Sequence, residues 1–541
     1  MERRLLGNPL LIGLLVVACG NAQQRGASKN EQTGGLGGAG LAGGASSAGA
    51  MASAGTLNGG AANGGIANGG AANGGESGLQ ASAGTPNGGN GNGGSTAEQA
   101  PAGASGSDPT AGAAGGDDPA CQNGCPTRNI VQLTTGDAHT CALLADHSLK
   151  CWGNASFGAL GYGPGTWEER RLPNTVGTVP VSSDPQVYPT QIAAGAPQTC
   201  ARLSDGSLKC WGSNGYGACG NGIHDDNGSV SWVPGTALSV TNEPGVTVKE
   251  VAAGNDRTCV ILSNGGIKCW GNNQWGQLGY GNLETIGDDE LPSAVGEIAV
   301  TEEPGVKTTQ LALGFRHTCA LLANGSVKCW GEDFEGQLGL GKYDVIGDDE
   351  LPSAAPAVSL SSDPSVKAVQ IAAGYVHTCA LMSDGSVRCW GASPGIGAAV
   401  VTQIGDDELP SAWPAVAIGA PSGVTVTQIV AAGWHTCVRL SDGTAKCWGQ
   451  SEKGELGYGN ASTIGDDESP ASVAAIRVTV DAAARVASLS AGIYTTCAVL
   501  SDGTGKCWGS NRWAQLGLEY FDDIGDDELP ASIDAFELFK P

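Results

Sequence analysis

Seven pairs of cysteines are the residues of this sequence most clearly spaced for chemistry. Cys141 and Cys151, Cys200 and Cys210, Cys259 and Cys269, Cys319 and Cys329, Cys379 and Cys389, Cys437 and Cys447, and Cys497 and Cys507 each stand ten positions apart. The first members of successive pairs are 59, 59, 60, 60, 58 and 60 residues apart. The chemistry on offer is oxidation. In the fifth copy, a three-residue loop Ser383-Asp384-Gly385 separates two apolar runs and suits a type I turn followed by a bulge. Centring the loop on Asp384 sets Cys379 opposite Cys389. Counted outward from the turn this is a non-hydrogen-bonded pair, where two backbones approach closely enough for a disulfide. The alternatives are seven pairs of buried free thiols or a metal site, and two cysteines per unit without a regularly placed histidine make a poor zinc ligand set. Closing each eleven-residue loop is worth roughly 2–3 kcal/mol in the chain-entropy model.

The other reactive side chains are repeated too, which argues for structural roles. His139, His317, His377 and His435 share one repeat position, where Gln198, Arg257 and Thr495 stand in the other copies. Interchange among these polar types predicts hydrogen bonding between neighbouring units, not catalysis. Ile-Gly-Asp-Asp-Glu occurs five times, from Ile286, Ile346, Ile404, Ile464 and Ile524. Its clustered carboxylates have the oxygen chemistry of a calcium site. The spacing is not that of an EF-hand, and recurrence favours a turn whose aspartates bind backbone amides. Cys219 replaces a leucine found in other repeats and is expected as a buried free thiol, with Cys121 and Cys125 able to pair ahead of the array. No Gly-x-Ser-x-Gly elbow, His-Glu-x-x-His or phosphate loop occurs. No catalytic residue, metal or cofactor is assigned.

Elements that position these residues are short strands. Val369 to Gly374, His377 to Met382 and Val387 to Gly391 read as three antiparallel strands, and Ala415 to Ile418 as a fourth. Small residues ending the first strand (Ala193-Ala194-Gly195, Ala252-Ala253-Gly254, Ala372-Ala373-Gly374) suit an innermost position near an axis. A 60-residue period repeated seven times is a repeat architecture. The expected fold is all-β, a seven-bladed β-propeller of four-stranded antiparallel blades over residues 120–541. An open solenoid would need polar end caps, and neither end of the array supplies one. The last repeat is followed by an extra strand-like segment, Ile533 to Phe539, expected to join the first blade and close the ring.

Ahead of the array lie two segments of other kinds. Arg3, Arg4 and the short apolar run Leu10 to Val17 form a signal peptide too short to span a bilayer, assigned to residues 1–18. It ends Val16-Val17-Ala18-Cys19, which looks like a bacterial lipoprotein processing site and makes Cys19 the lipidated residue. Residues 19–119 are rich in Gly, Ala, Asn and Ser, and are expected to be a disordered tether. Net charge is −26, which disfavours nucleic acid and anionic lipid as surface partners. Eighteen cysteines suit an oxidising compartment. The expected location is the bacterial cell envelope, at the outer membrane or cell surface, with the lipid as the only membrane contact.

The Gly-x-x-His-Thr start, the Asp-Gly turn and runs such as Trp270-Gly271-Asn272-Asn273-Gln274-Trp275-Gly276-Gln277-Leu278-Gly279-Tyr280-Gly281 carry a resemblance. The array, from about Asn129 onward, resembles the regulator of chromosome condensation repeat family, whose members form seven-bladed propellers. That family includes nuclear guanine-nucleotide exchange factors, ubiquitin-ligase adaptors and secreted bacterial binding proteins. The export signal, the cysteines and the acidity set this chain apart from the nuclear type.

Function must lie in what the repeats do not share. First and third strands run the same way, so the turn after the first and the loop after the third open on one face. Phe315, Tyr375, Trp434 and Tyr494 lie in the first kind of connection, and Phe157, Tyr216, Trp275, Phe334 and Trp513 in the second. Aromatic residues are enriched in binding hot spots. The expected function is non-catalytic binding of a protein, or of a glycan, by a monomeric propeller through this face. The alternatives are an exported enzyme with a site at the channel mouth, or a purely structural envelope protein.

Overall fold

The computed structural model describes residues 129–539 apart from 167–168, 224–229, 232 and 393–402. The signal peptide, Cys19, the tether and the pair Cys121 and Cys125 lie outside the described residues. Seven antiparallel sheets follow one another in chain order. The fifth shows the plan, with strands Ala368–Ala373, His377–Met382, Val387–Ala392 and Gln403–Ile404 from axis to rim. Inner strands line a central channel of about 330 Å³.

Each cysteine pair sits across the hairpin between the middle and third strands, in the register expected. Cys379 pairs with Cys389, as Cys141 does with Cys151. All seven disulfides are formed, with Cα–Cα distances of 4.0–4.1 Å. The backbone of the second cysteine turns away from its partner strand. In the third blade the Tyr280 hydroxyl donates to Cys269 O at 3.1 Å and accepts from Cys269 N at 3.3 Å. Tyr458 serves Cys447 in the same way. Cys219 is buried and free, and burial pushes its thiol up to about 12, far from reactive.

The rim corrects the expectation of four full strands. Among the described residues the fourth strand is two residues long in three blades, at Arg170–Arg171, Val230–Ser231 and Gln403–Ile404. In the other four it is a single bridge near Ile286, Ile346, Ile464 or Ile524. The stretch Ala415 to Ile418 forms no strand. It contributes one backbone bond, from Val416 N to Val387 O at 2.8 Å. A proline-led helical turn explains the break. Pro410–Ala412 and its counterparts Pro292–Ala294, Pro470–Ser472 and Pro530–Ser532 interrupt the edge where a ladder would need N–H donors. The tyrosine hydroxyls above fill part of that gap. So do buried lysines of the third strands: Lys268 Nζ donates to Pro292 O and Val295 O, and Lys446 Nζ to Ile418 O, Pro470 O and Val473 O.

Three devices join one blade to the next. Seven buried tryptophans, Trp152 to Trp508, pack between blades at 0–1% exposure. Trp211 Nε1 and Thr199 Oγ1 converge on one carbonyl of the preceding blade, Ala159 O, at 2.9 and 2.8 Å. The second device is the predicted polar position. His139, His317, His377 and His435 each place Nε2 at 2.8–2.9 Å from a threonine hydroxyl of the next blade. Gln198 reaches Thr258 likewise, and Arg257 binds the carbonyls of Gly314, Phe315 and His317. The third device was not anticipated. Gln132, Gln191, Gln310, Gln370 and Gln428 on the inner strands each exchange two bonds with the main chain of the next inner strand, as Gln370 does with Ile429 at 3.2 and 2.9 Å.

Histidine at the second device couples stability to pH. Burial holds the His377 imidazole at about 4, below its ordinary 6.5. The unfolded chain therefore takes up the proton first, and the stability that neutral His377 contributes is complete above about pH 6.5 and is lost as pH falls toward 4. Gln198 shows that glutamine can make the same bond. His377→Gln is expected to lose about 1–2 kcal/mol less than the parent between pH 7 and pH 5. Equal losses in denaturant titrations at both pH values would contradict this assignment.

The ring closes without strand exchange, which corrects the second expectation. Ile533 to Phe539 adds no strand to the first blade. It lies along the rim of the seventh and crosses to the first by side chains. Phe536 packs against Trp152 with the rings tilted and their centroids 4.9 Å apart, and Lys150 Nζ donates to Leu538 O at 2.6 Å. Closure otherwise repeats the ordinary junction: Ile130 N donates to Gly503 O at 3.0 Å, as Val248 N does to Gly206 O at 3.1 Å. Each blade is thus one continuous stretch of chain.

Candidate binding face

The turn after each inner strand is two or three residues long, and in the second, fourth and fifth blades it is pinned by a backbone bond to the neighbouring turn. Phe315 N donates to Tyr375 O at 3.1 Å, and Tyr375 N to Gly433 O at 2.7 Å. Close approach at the axis demands glycine: a Cβ on Gly374 would fall 2.8 Å from Gly433 O and 2.1 Å from the His377 ring. These bonds hold the next side chain outward at the mouth of the channel. Four of those side chains are aromatic and form one continuous row. Phe315 and Tyr375 have centroids 4.9 Å apart, Tyr375 and Trp434 meet edge-on at 4.6 Å, and Trp434 and Tyr494 stand 6.1 Å apart.

A second tier comes from the loops after the third strands. Trp275 and Phe334 meet edge to face at 5.3 Å. Arg316 lies 5.2 Å over Trp275 and 5.0 Å over Phe315, and is anchored by Glu332 at 2.9 Å, so it ties this tier to the mouth. Trp513 is covered by Arg512 at 5.1 Å and Arg170 at 5.7 Å, and Arg170 also lies 4.5 Å over Phe521. Phe157 and Tyr216 occupy the same loops in the first two blades and are exposed at 38% and 37%. None of the nine predicted aromatic residues is buried. Seven belong to blades three to seven, so the tiers are unevenly populated around the ring.

The remaining arc of the mouth is polar in the first and third blades and apolar in the second, which presents Ala196-Pro197. Where the later blades present rings, the first and third present Asp137 and Asn255-Asp256. Asp137 is accessible to water, yet it sits in a concavity, and burial by the surrounding wall raises its carboxyl. Burial raises Asp256 to about 6 against the opposing pull of Arg257. The Tyr375 hydroxyl is pushed up first by burial and then by the charges of Asp137, Tyr494 and Asp256. Sequence reasoning missed both aspartates, along with Arg316 and Arg170. The signal was available, because the three turns that lack an aromatic residue are the ones that could carry something else.

The Ile-Gly-Asp-Asp-Glu loops adjoin the second tier. Gly276, next to Trp275, lies against Gly347 and Asp348 of the following blade, and the Tyr343 hydroxyl donates to Asp406 at 3.0 Å. In each loop the three carboxylates fall within 4.8 Å of one another. They also do turn work, since Gly287 N donates to Glu290 at 3.3 Å and Asp289 N to Asp288 at 3.1 Å. Burial and the adjacent aspartates push Glu290, Glu350 and Glu528 up to about 7. The face is therefore aromatic at its centre and acidic around it.

Comparison with known proteins identifies the repeat. The pattern described as the Regulator of chromosome condensation (RCC1) repeat matches residues 130–159, 190–218, 248–277, 309–337, 368–393 and 426–455, and a second form of it matches 205–261 and 264–321. The chain is similar to the ultraviolet-B receptor UVR8 of Arabidopsis thaliana, 27% identical over 415 residues that make up 76% of this chain and 83% of the receptor. It is also similar to the probable E3 ubiquitin-protein ligase HERC6 of Homo sapiens, 26% identical over 54% of this chain but only 26% of the ligase. Among solved structures, yeast RCC1 (Prp20) bound to Kap60 superposes with a TM-score of 0.54 at 20% identity, covering 75% of this chain and 85% of that one. Human WBSCR16 gives 0.53 at 21% identity, covering 69% and 92%. At these identities the structures speak to the fold.

Proposed function

This chain is a β-propeller of the regulator of chromosome condensation repeat family, and we propose that it is a non-catalytic binding module that engages a protein through its aromatic face. One observation carries the reading: the row Phe315, Tyr375, Trp434 and Tyr494 is continuous and unburied, and Phe315 and Tyr375 are pinned to the neighbouring turns by backbone bonds. Large rings held rigid at a surface bind with little ordering cost. The capture of yeast RCC1 (Prp20) in a complex with Kap60 supports a protein partner over a glycan. The repeated polar side chains support a non-catalytic role, because the histidines are engaged between blades. The resemblance of Arg3 to Cys19 to an export and lipidation signal supports a propeller tethered to the cell envelope through Cys19. The test is capture from envelope extract and periplasmic fluid with the wild type beside a Trp275→Ala/Trp434→Ala/Trp513→Ala variant. A partner held by the wild type and lost by a folded variant is the expected result. Equal capture by both would remove the aromatic face from the function.

A further inference from the structure

We propose that the channel mouth seats a lysine or arginine side chain presented by a basic segment of the partner protein. The proposal rests on the binding-face reading above and adds the chemistry of the ligand. The mouth encloses a cavity of about 130 Å³, with Thr135, Asp137, Asn255, Phe315 and Tyr375 among its lining residues. That is space for the tip of one long side chain, several times the roughly 30 Å³ share of a water molecule. Its two arcs are complementary in the way a cation requires. On one side is Tyr375, continued along the rim by Trp434 and Tyr494 and flanked by Phe315, whose ring Arg316 covers. On the other is Asp137, which lines the cavity, with Asp256 outside the lining, next to Asn255, and both near enough for their charges to bear on the Tyr375 hydroxyl. Aromatic faces and carboxylates both attract an ammonium or guanidinium group, and the attraction grows where water is thinned out.

The second tier shows the same preference already satisfied from within. Arg316, Arg512 and Arg170 of this chain lie over Phe315, Trp275, Trp513 and Phe521. Among the described residues, no such cation covers Tyr375, Trp434 or Tyr494, the rings that face the aspartates. Two cations of the chain border the seat, Arg316 over Phe315 and Arg257 on the carbonyls of Gly314 and Phe315, and the charges beyond them are negative. Glu250 is the charged residue lining the channel below the mouth, no lysine or arginine lines mouth or channel, and the whole chain carries −26. Such a field draws in basic ligands and speeds their encounter.

Titration of the full chain with three probes, followed by calorimetry and tryptophan fluorescence, tests the proposal. The probes are a nonapeptide containing two lysines and one arginine, its counterpart with norleucine at those positions, and a neutral glucan oligosaccharide. Only the basic peptide is expected to bind, with affinity falling about tenfold or more between 50 and 500 mM salt. Asp137→Asn and Asp137→Asn/Asp256→Asn are expected to weaken it progressively, by about tenfold for the pair. Asparagine tolerates the positive φ of 52° at position 256, and the single variant stands alone if loss of Asp256 beside buried Arg257 unfolds the pair. The control is Asp384→Asn/Asp442→Asn/Asp502→Asn on the opposite face, which removes more charge. Asparagine already fills that turn position at Asn264 and Asn324. An equal loss in the control, or no loss in Asp137→Asn, would reduce the effect to general acidity and overturn the seat. Binding of the norleucine peptide or the glucan, abolished by Trp434→Ala, would overturn the cation but leave the binding face standing. Failure of the basic peptide to bind overturns the proposal outright.

Discussion

Truncation before Ile533 is expected to destabilise the propeller by about 5 kcal/mol or more, beyond what the loss of nine surface residues could do. Phe536 and Leu538 are buried at 7% and 9% exposure, and removal of a buried phenylalanine or leucine side chain costs about 2–5 kcal/mol. The loss falls on the weakest junction of the ring. Between the seventh and first blades the histidine position is Thr495, too short to cross, and its hydroxyl is buried without a partner. The glutamine position is Ser488. What remains is the Ile130 to Gly503 bond, the bonds of Thr140 and Trp152 to Gln515 O, a Thr135 to Ser490 contact at 3.1 Å, and, nearer the surface, the Asn174 to Glu519 bond and Arg170 over Trp513 and Phe521. The C-terminal segment compensates by covering Trp152 and capping Lys150. Truncation would expose the indole and take from Lys150 one of its acceptors, leaving those at Pro173 and Val176. Denaturant midpoints of the truncated chain and of Phe536→Ala measure this. An unchanged midpoint would mean that the junction holds by its remaining bonds and that the segment is dispensable.

The second large effect concerns oxidation. Each disulfide closes an eleven-residue loop and is worth roughly 2–3 kcal/mol, so the seven together contribute on the order of 15–20 kcal/mol. That exceeds the net stability of most folded domains. The chain unfolded and reduced is therefore not expected to refold until its thiols are reoxidised. The folded chain should withstand the same reductant, because the paired sulfurs are buried at 0–5% exposure. Replacing one pair, as in Cys379→Ala/Cys389→Ala, is expected to cost about 2–3 kcal/mol, since each loop is closed independently. Full refolding of the reduced chain would show that strand pairing and blade packing suffice, and would remove the disulfides from the account of stability.

Asymmetry in the array has a functional side. The arc that presents aromatic rings at the mouth belongs to blades four to seven, and the arc that presents Asp137, Asn255 and Asp256 to blades one and three. Repeats that share a core can differ freely where a side chain leaves the ring, because no neighbour constrains it there. That freedom is where a partner can be recognised without disturbing the fold.

The amino-acid sequence alone determined whatever depends on neighbours within about ten residues. The hairpins, their registers and their disulfides follow from Asp-Gly turns and cysteines five positions to either side, since hairpin geometry is set by the turn. Seven regular repeats led to a ring of seven sheets because each unit has one apolar plan and only its copies to pack against. The polar position of His139 and its equivalents was legible for the same reason: variation among His, Gln, Arg and Thr marks a bond to a neighbour. Only the tertiary structure decided matters that join residues far apart in the chain. Ala415 to Ile418 looks like a strand by composition, but the proline-led turn before it, held by Arg388 through the carbonyls of Pro410 and Trp413, breaks the edge it would need. Ile533 to Phe539 looks like a closing strand, but the first blade has no free ladder for it, so it closes the ring with Phe536 and a carbonyl. Asp137, Asp256 and Tyr375 come from three separate blades, and no local pattern connects them. Asp137 and Tyr375 line one cavity, with Asp256 beside it, because the ring turns the start of the array back to face its middle.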